Sequence, residues 1–199
     1  MGSTLLEPEL ERFPNRYRWT VEAANGLREM GVLQGRYEVL DGEIIDKMGQ
    51  GPHHAITLTK LLRILSTMFR IDCLRIQSPI GLLSPDNTYS EPEPDVAVTR
   101  ETENAYSVHQ PGPDDLLLVV EVADTSLPTD LVAKARLYAR AGIVEYWVLD
   151  LNDRQLHIHR EPKDGFYSSV TVHAETESVA LADRPNAPIL VGELLPPSV

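Results

Sequence analysis

The chain has 199 residues and a mass of 22.2 kDa, with 42% hydrophobic and 24% charged residues, which supplies one ordinary core and excludes wholesale disorder. A formal net charge of -12 excludes a protein that grips nucleic acid through a broad basic surface, so any such contact must use a local basic strip. The single cysteine, Cys73, excludes an intrachain disulfide and suits a reducing, cytoplasmic setting, and no apolar run is long enough to cross a bilayer.

Residues 1–19 are polar, carry Pro8 and Pro14, and are expected to form an irregular N-terminal arm; they lack the basic start and apolar core of a secretory signal. Thr20 is a suitable N-cap for a helix from Val21 to Met30, which Gly31 would close. Tyr37 to Ile45 has the pattern of a hairpin, because Asp41-Gly42 is a preferred pair for a type I′ turn, and Glu43 follows that turn directly. From about His53 to Phe69, Ile56, Leu58, Leu61, Leu62, Leu65 and Met68 recur at steps that set one apolar stripe on a helix.

Strands are expected around Cys73 to Gln77 and Ile80 to Leu83, followed by a turn at Asp86-Asn87. Asp95 stands at the mouth of the next apolar strand, and Glu121 ends another, Leu116 to Val122, whose unbroken aliphatic run suits a strand covered on both faces. Thr129 or Asp130 can start a helix that Gly142 stops, and Ile143 to Leu151 is a further buried strand. Residues from Asn152 to about Ala180 alternate as antiparallel strands, with turns at Asn152-Asp153 and Asp164-Gly165. Four prolines give an irregular tail over residues 185–199, and the whole of residues 1–199 is expected to be one domain with a mixed central sheet flanked by helices.

An ionised carboxylate inside an apolar strand costs several kcal/mol unless it is compensated. Glu121 therefore calls for a partner or a cation, and Asp95 offers a second strand-borne acid for a hard cation such as Mg²⁺. Asp95 is equally explicable as a turn residue after Pro94. Lys134 lies one turn after Asp130 on the helix that follows Glu121; the two form either a surface ion pair or a device that delivers an ammonium to the acid pair. His54 is either a cap or surface residue at its helix start or a site residue, and Glu43 either faces water or adds a third acid. Glycine-rich phosphate loops, paired CxxC, HExxH and GxSxG motifs are all missing, which removes nucleotide-fold, zinc-protease and serine-hydrolase readings.

The blocks YEVLDGEII, GPHHAITLTKLL, EPDVAV and LLLVVEVADTSLPTDLVAKARLYARAGIVEYWVLDL together resemble the Uma-two family of bacterial endonucleases, over about Tyr37 to Leu151. The resemblance implies a restriction-endonuclease-like, PD-(D/E)xK fold, Mg²⁺ or Mn²⁺ as cofactor, DNA as substrate and a homodimer. In it Pro94-Asp95 looks like the first half of the nuclease signature and Glu121 like its second acid, with the Val122 carbonyl as a further metal donor. The signature lysine, two residues after the second acid, is replaced here by Ala123, and Lys134 is implied to take over its role. Glu43, His54 and Asp130 match auxiliary positions. The alternative is a catalytically inactive nuclease-fold module that binds or scaffolds.

Overall fold

The computed structural model describes residues 17–47 and 49–198. Most of the expected N-terminal arm, residues 1–16, lies outside the described residues. Helix α1 (Val21–Glu29) starts as its sequence dictates, with the Thr20 hydroxyl accepting from the Ala23 N–H at 3.1 Å. Strands β1 (Tyr37–Leu40) and β2 (Glu43–Asp46) form a separate hairpin whose turn residues, Asp41 and Gly42, both have positive φ, as a type I′ turn requires. Helix α2 (Pro52–Met68) follows, its Leu61 and Leu65 fully buried.

The centre is a six-stranded sheet in the order β3-β4-β5-β6-β7-β8. Its members are β3 (Leu74–Ile76), β4 (Val96–Thr99), β5 (Leu116–Ala123), β6 (Glu145–Asp150), β7 (Gln155–Lys163) and β8 (Phe166–Ala174). All neighbours are antiparallel except β5 and β6, which run parallel and therefore need a crossover. That crossover is a π-helical turn over Thr129–Lys134 continued by helix α4 (Ala135–Ala141), which Gly142 ends in the left-handed conformation at φ 84°.

The period-two alternation of the strands sorts their side chains into two cores. Val96, Val120 and Val122 pack with α2 and the C-terminal segment on one face, whereas Ala97, Val119 and Ala123 pack with α4 and with Leu40, Ile80 and Leu82 on the other. Both faces of the sheet are covered, which accounts for the unbroken aliphatic run of β5.

Three local expectations need correction. Ile80 to Leu83 is not a strand: Ile80 and Leu82 alternate into the core, but the segment runs past proline-rich neighbours and its amides bond singly to the carbonyls of Pro92 and Pro111. Asp86-Asn87 opens a short helix, α3 (Asp86–Tyr89), rather than making a simple turn. The tail expected to be irregular over residues 185–199 contains strand β10 (Ile189–Leu190), paired with β9 (Ser178–Val179), and helix α5 (Val191–Leu194). Between its prolines this tail is apolar, and Ile189, Val191, Leu194 and Leu195 are buried in the first core. Among the described residues no helix is long and apolar enough to cross a membrane.

Candidate active site

Asp95 lies two residues before Ala97, and Glu121 lies between Val119 and Ala123, so alternation puts both carboxylates on the face of the sheet that α4 covers. Both border a cleft of about 420 Å³ whose other walls come from the β1–β2 hairpin, the start of α2 and the π-helical turn. The two acids that sequence reasoning singled out on separate strands therefore open into one space.

Lys134 is the central cation of the site. Its side chain is only 3% exposed, and its Nζ lies 2.8 Å from Glu121 Oε1, 2.9 Å from Glu38 Oε1 and 3.7 Å from Asp130 Oδ1. The Tyr138 hydroxyl, one further turn along, donates to the same Glu121 oxygen at 3.1 Å. Asp130 is buried beside them and accepts from the Ser126 hydroxyl at 2.5 Å. The segment after β5 thus brings the Lys134 ammonium back to Glu121 at the strand end. Ala123, at the position where a lysine would stand in the signature, is fully buried in the core beneath α4, so the cation comes from the helix that occupies that space.

Asp95 is held from three sides. Its Oδ2 lies 3.0 Å from His54 Nε2 and accepts from the Val122 N–H at 2.8 Å, while its Oδ1 accepts from Gln77 Nε2 at 3.3 Å. With Nε2 donating to the carboxylate, the buried His54 Nδ1 has no hydrogen-bond partner among the described residues. In an extended strand the N–H and C=O of one residue project to the same edge, so the Val122 carbonyl faces the edge on which its N–H meets Asp95.

Glu43 is not brought to the cleft. It shares a hairpin face with Glu38 by register, but it sits at the turn end and is exposed, whereas Glu38 is buried against Lys134 and accepts from the Glu93 N–H at 3.1 Å. Glu38 and Tyr138 are site residues that the sequence reading missed. An acid inside the buried alternation of β1, and a tyrosine four residues after Lys134, were the available signals.

The electrostatics are those of a buried acidic cluster around one ammonium. Burial pushes the Glu121 carboxyl well above its ordinary range, with Asp130, Asp95 and Glu38 adding to the rise and Lys134 opposing it. Burial likewise pushes Asp130 up to about 6, against the pull of Lys134 and Ser126. For Lys134 burial acts in the opposite direction, but the surrounding carboxylates, Glu121 first, outweigh it and raise the ammonium above its usual value. Asp95 also overcomes burial: the His54 hydrogen bond and charge and the Val122 amide hold it below the usual carboxylate range.

Glu38, Glu121 and Asp130 thus face a single buried ammonium, and Asp95 opens into the same cleft, an acidic lining that a cation would complement. Mg²⁺ is commonly held by one or two carboxylates while it keeps several waters, and in this cleft Asp95, Glu121 and the Val122 carbonyl are the donors that could hold it. Among the described residues no three His, Cys, Asp or Glu side chains surround a common metal position, so a cation here would rely on backbone and water for its remaining donors.

A solved structure described as a putative nuclease belonging to DUF820 from Anabaena variabilis ATCC 29413 shares this fold, with a TM-score of 0.61 and 15% identity, covering 84% of this chain and 96% of that one. No curated protein matches the sequence. The family model described as "Putative restriction endonuclease", Uma2, matches residues 32–191, a span that takes in the hairpin, both acid-bearing strands, the Lys134 helix and the start of the C-terminal closure. The chain belongs to the Uma2 family and has a restriction-endonuclease-like mixed α/β fold.

Proposed function

We propose that this protein is a divalent-cation-dependent endonuclease that hydrolyses phosphodiester bonds of DNA. Asp95, Glu121 and the carbonyl of Val122 would hold Mg²⁺ or Mn²⁺. The observation that carries this reading is that two acids from different strands share one face and one cleft, with Lys134 fixed 2.8 Å from the second. When bound, the cation supplies activation of water and neutralisation of charge on the phosphate.

The chain's own residues have separable tasks. Asp95, kept ionised by His54 and the Val122 amide, presents a fixed negative charge at the cleft. The carboxylates around Lys134 raise its ammonium above the usual value, which makes it a poor general base; it acts as a fixed positive charge that balances the acids. Tyr138 and Lys134 orient Glu121 by sharing one of its oxygens. A homodimer, in which two clefts address two strands, is part of the same proposal.

A second reading is a module of this fold that binds without turnover, and the alanine at position 123 favours it. Incubation of plasmid DNA with the protein and Mg²⁺ or Mn²⁺ separates the two. Cation-dependent nicking that Asp95→Asn and Glu121→Gln abolish supports the nuclease; an intact plasmid under all these conditions, with the protein folded, leaves the binding module. Lys134→Ala is expected to abolish cleavage too, but its folding must be checked by near-UV circular dichroism, because it leaves buried acids unpaired at a cost of about 3 kcal/mol or more.

A further inference from the structure

An acidic protein that cuts DNA needs somewhere to hold the backbone, and the cleft wall formed by the hairpin meets that need. Glu38 stands opposite Ile45 in the β1–β2 ladder, and the Lys47 N–H donates to the Arg36 carbonyl at 2.9 Å. The ladder therefore continues to an Arg36–Lys47 pair, which alternation puts on the same face as Glu38 and Ile45, and all four residues border the cleft.

Among the described residues that line the cleft, the lysines and arginines are Arg36, Lys47 and Lys134. Lys134 is surrounded by carboxylates and buried, so its charge is already spent. Arg36 and Lys47 differ: their ion pairs run to one carboxylate, Glu93, whose Oε2 lies 2.7 Å from Arg36 Nη2 and 3.4 Å from Lys47 Nζ. Two positive charges thus share one negative charge. The Arg36 side chain is 48% exposed at the cleft margin, whereas that of Lys47 is 14% exposed and its charge reaches Asp95, which it helps to keep ionised.

We propose that Arg36 and Lys47 form a backbone-phosphate site, which holds a DNA phosphate on the hairpin wall and so sets the neighbouring phosphodiester before Asp95 and Glu121. This inference rests on the nuclease reading. The planar Arg36 guanidinium supplies a paired donor edge for two phosphate oxygens, and Lys47 supplies a compact charge deeper in the cleft. Glu93 occupies both cations until the phosphate replaces its carboxylate, so it tunes the affinity. A local pair of this kind lets a chain of net charge -12 meet a polyanion without a basic surface.

The test is binding of a short fluorescein-labelled DNA duplex, followed by anisotropy across a KCl series with Ca²⁺ as the cation, alongside steady-state cleavage in Mg²⁺. The Arg36→Gln/Lys47→Gln double variant is expected to bind at least about tenfold more weakly, and its plot of log K against log[KCl] to be shallower by about 0.9, the slope of one neutralised phosphate. Glu93→Gln is expected to bind more tightly than wild type, and Lys47→Arg to restore the binding that Lys47→Gln loses. In cleavage the loss in Arg36→Gln alone, which leaves the Lys47 charge beside Asp95 in place, is expected to fall on KM rather than kcat. A folded double variant with unaltered affinity and salt slope overturns the phosphate site and leaves the nuclease reading standing, provided the wild type cleaves. A wild type that neither binds nor cleaves the duplex overturns both.

Discussion

Asp130 is the residue whose environment makes the clearest solution signature. It is buried one turn before Lys134, and its carboxyl is pushed up to about 6, chiefly by loss of solvent, although Lys134 and Ser126 pull the other way. A raised folded value means that the native state holds its proton more tightly than the unfolded chain. The resulting stabilisation is fully present below the ordinary carboxyl range and is lost as pH rises through about 6. Asp130→Asn cannot titrate. The stability of wild type relative to this variant is therefore expected to fall by on the order of 2 kcal/mol between pH 4 and pH 7. Urea unfolding at several pH values measures it, and parallel curves for the two proteins would refute the assignment.

At the scale of elements, the cleft depends on turns that hold its walls in place. Gly42 and Gly142 both have φ 84°, but their surroundings differ. A Cβ at Gly142 meets no atom within 4 Å, so Gly142→Ala is expected to cost only the left-handed penalty of about 1 kcal/mol. A Cβ at Gly42 would lie 2.7 Å from Arg18 Cβ and 3.0 Å from its Cα, so Gly42→Ala adds a clash to the same penalty. The second variant is expected to be the less stable by denaturant unfolding, and also to lose cleavage beyond its loss of stability, since the Gly42 turn sets the hairpin that carries Glu38, Arg36 and Lys47. Equal destabilisation by both would show that the hairpin yields to the clash. These turns were legible in the sequence because Asp-Gly pairs and a glycine after an apolar helix have few other uses. Ile80 to Leu83 was not, because alternation into a core looks the same whether the backbone joins a ladder or runs beside it.

For the whole molecule, what could be read depended on whether a signal was local. Glu121 and Asp95 stood out because each carries charge within or at the mouth of an apolar strand, and Lys134 because it follows Asp130 by four residues. Glu38 and Glu43 flank one turn, and only the packing of the hairpin against α4 decides which of them is buried. The C-terminal segment was hidden for a related reason: its prolines mark breaks in regular structure but say nothing of the apolar residues between them.

That segment closes the first core. Ile189, Val191, Leu194 and Leu195 fill the space between α2 and the sheet, and Lys60 on α2 donates to the Leu195 carbonyl. A second tie lies one residue further on, where Arg154 donates to the Pro196 carbonyl at 3.0 Å. Burying each such aliphatic side chain contributes about 1.5–3 kcal/mol, so together these apolar residues are comparable with the entire stability of a typical domain, roughly 5–15 kcal/mol. A chain ending at Asp183 keeps every residue assigned to the cleft, yet it is expected to lose fixed packing. Its near-UV circular dichroism should collapse and cleavage should vanish even though no site residue has been removed. A truncated chain that melts cooperatively near the wild-type temperature would mean that the segment merely covers a core already complete without it.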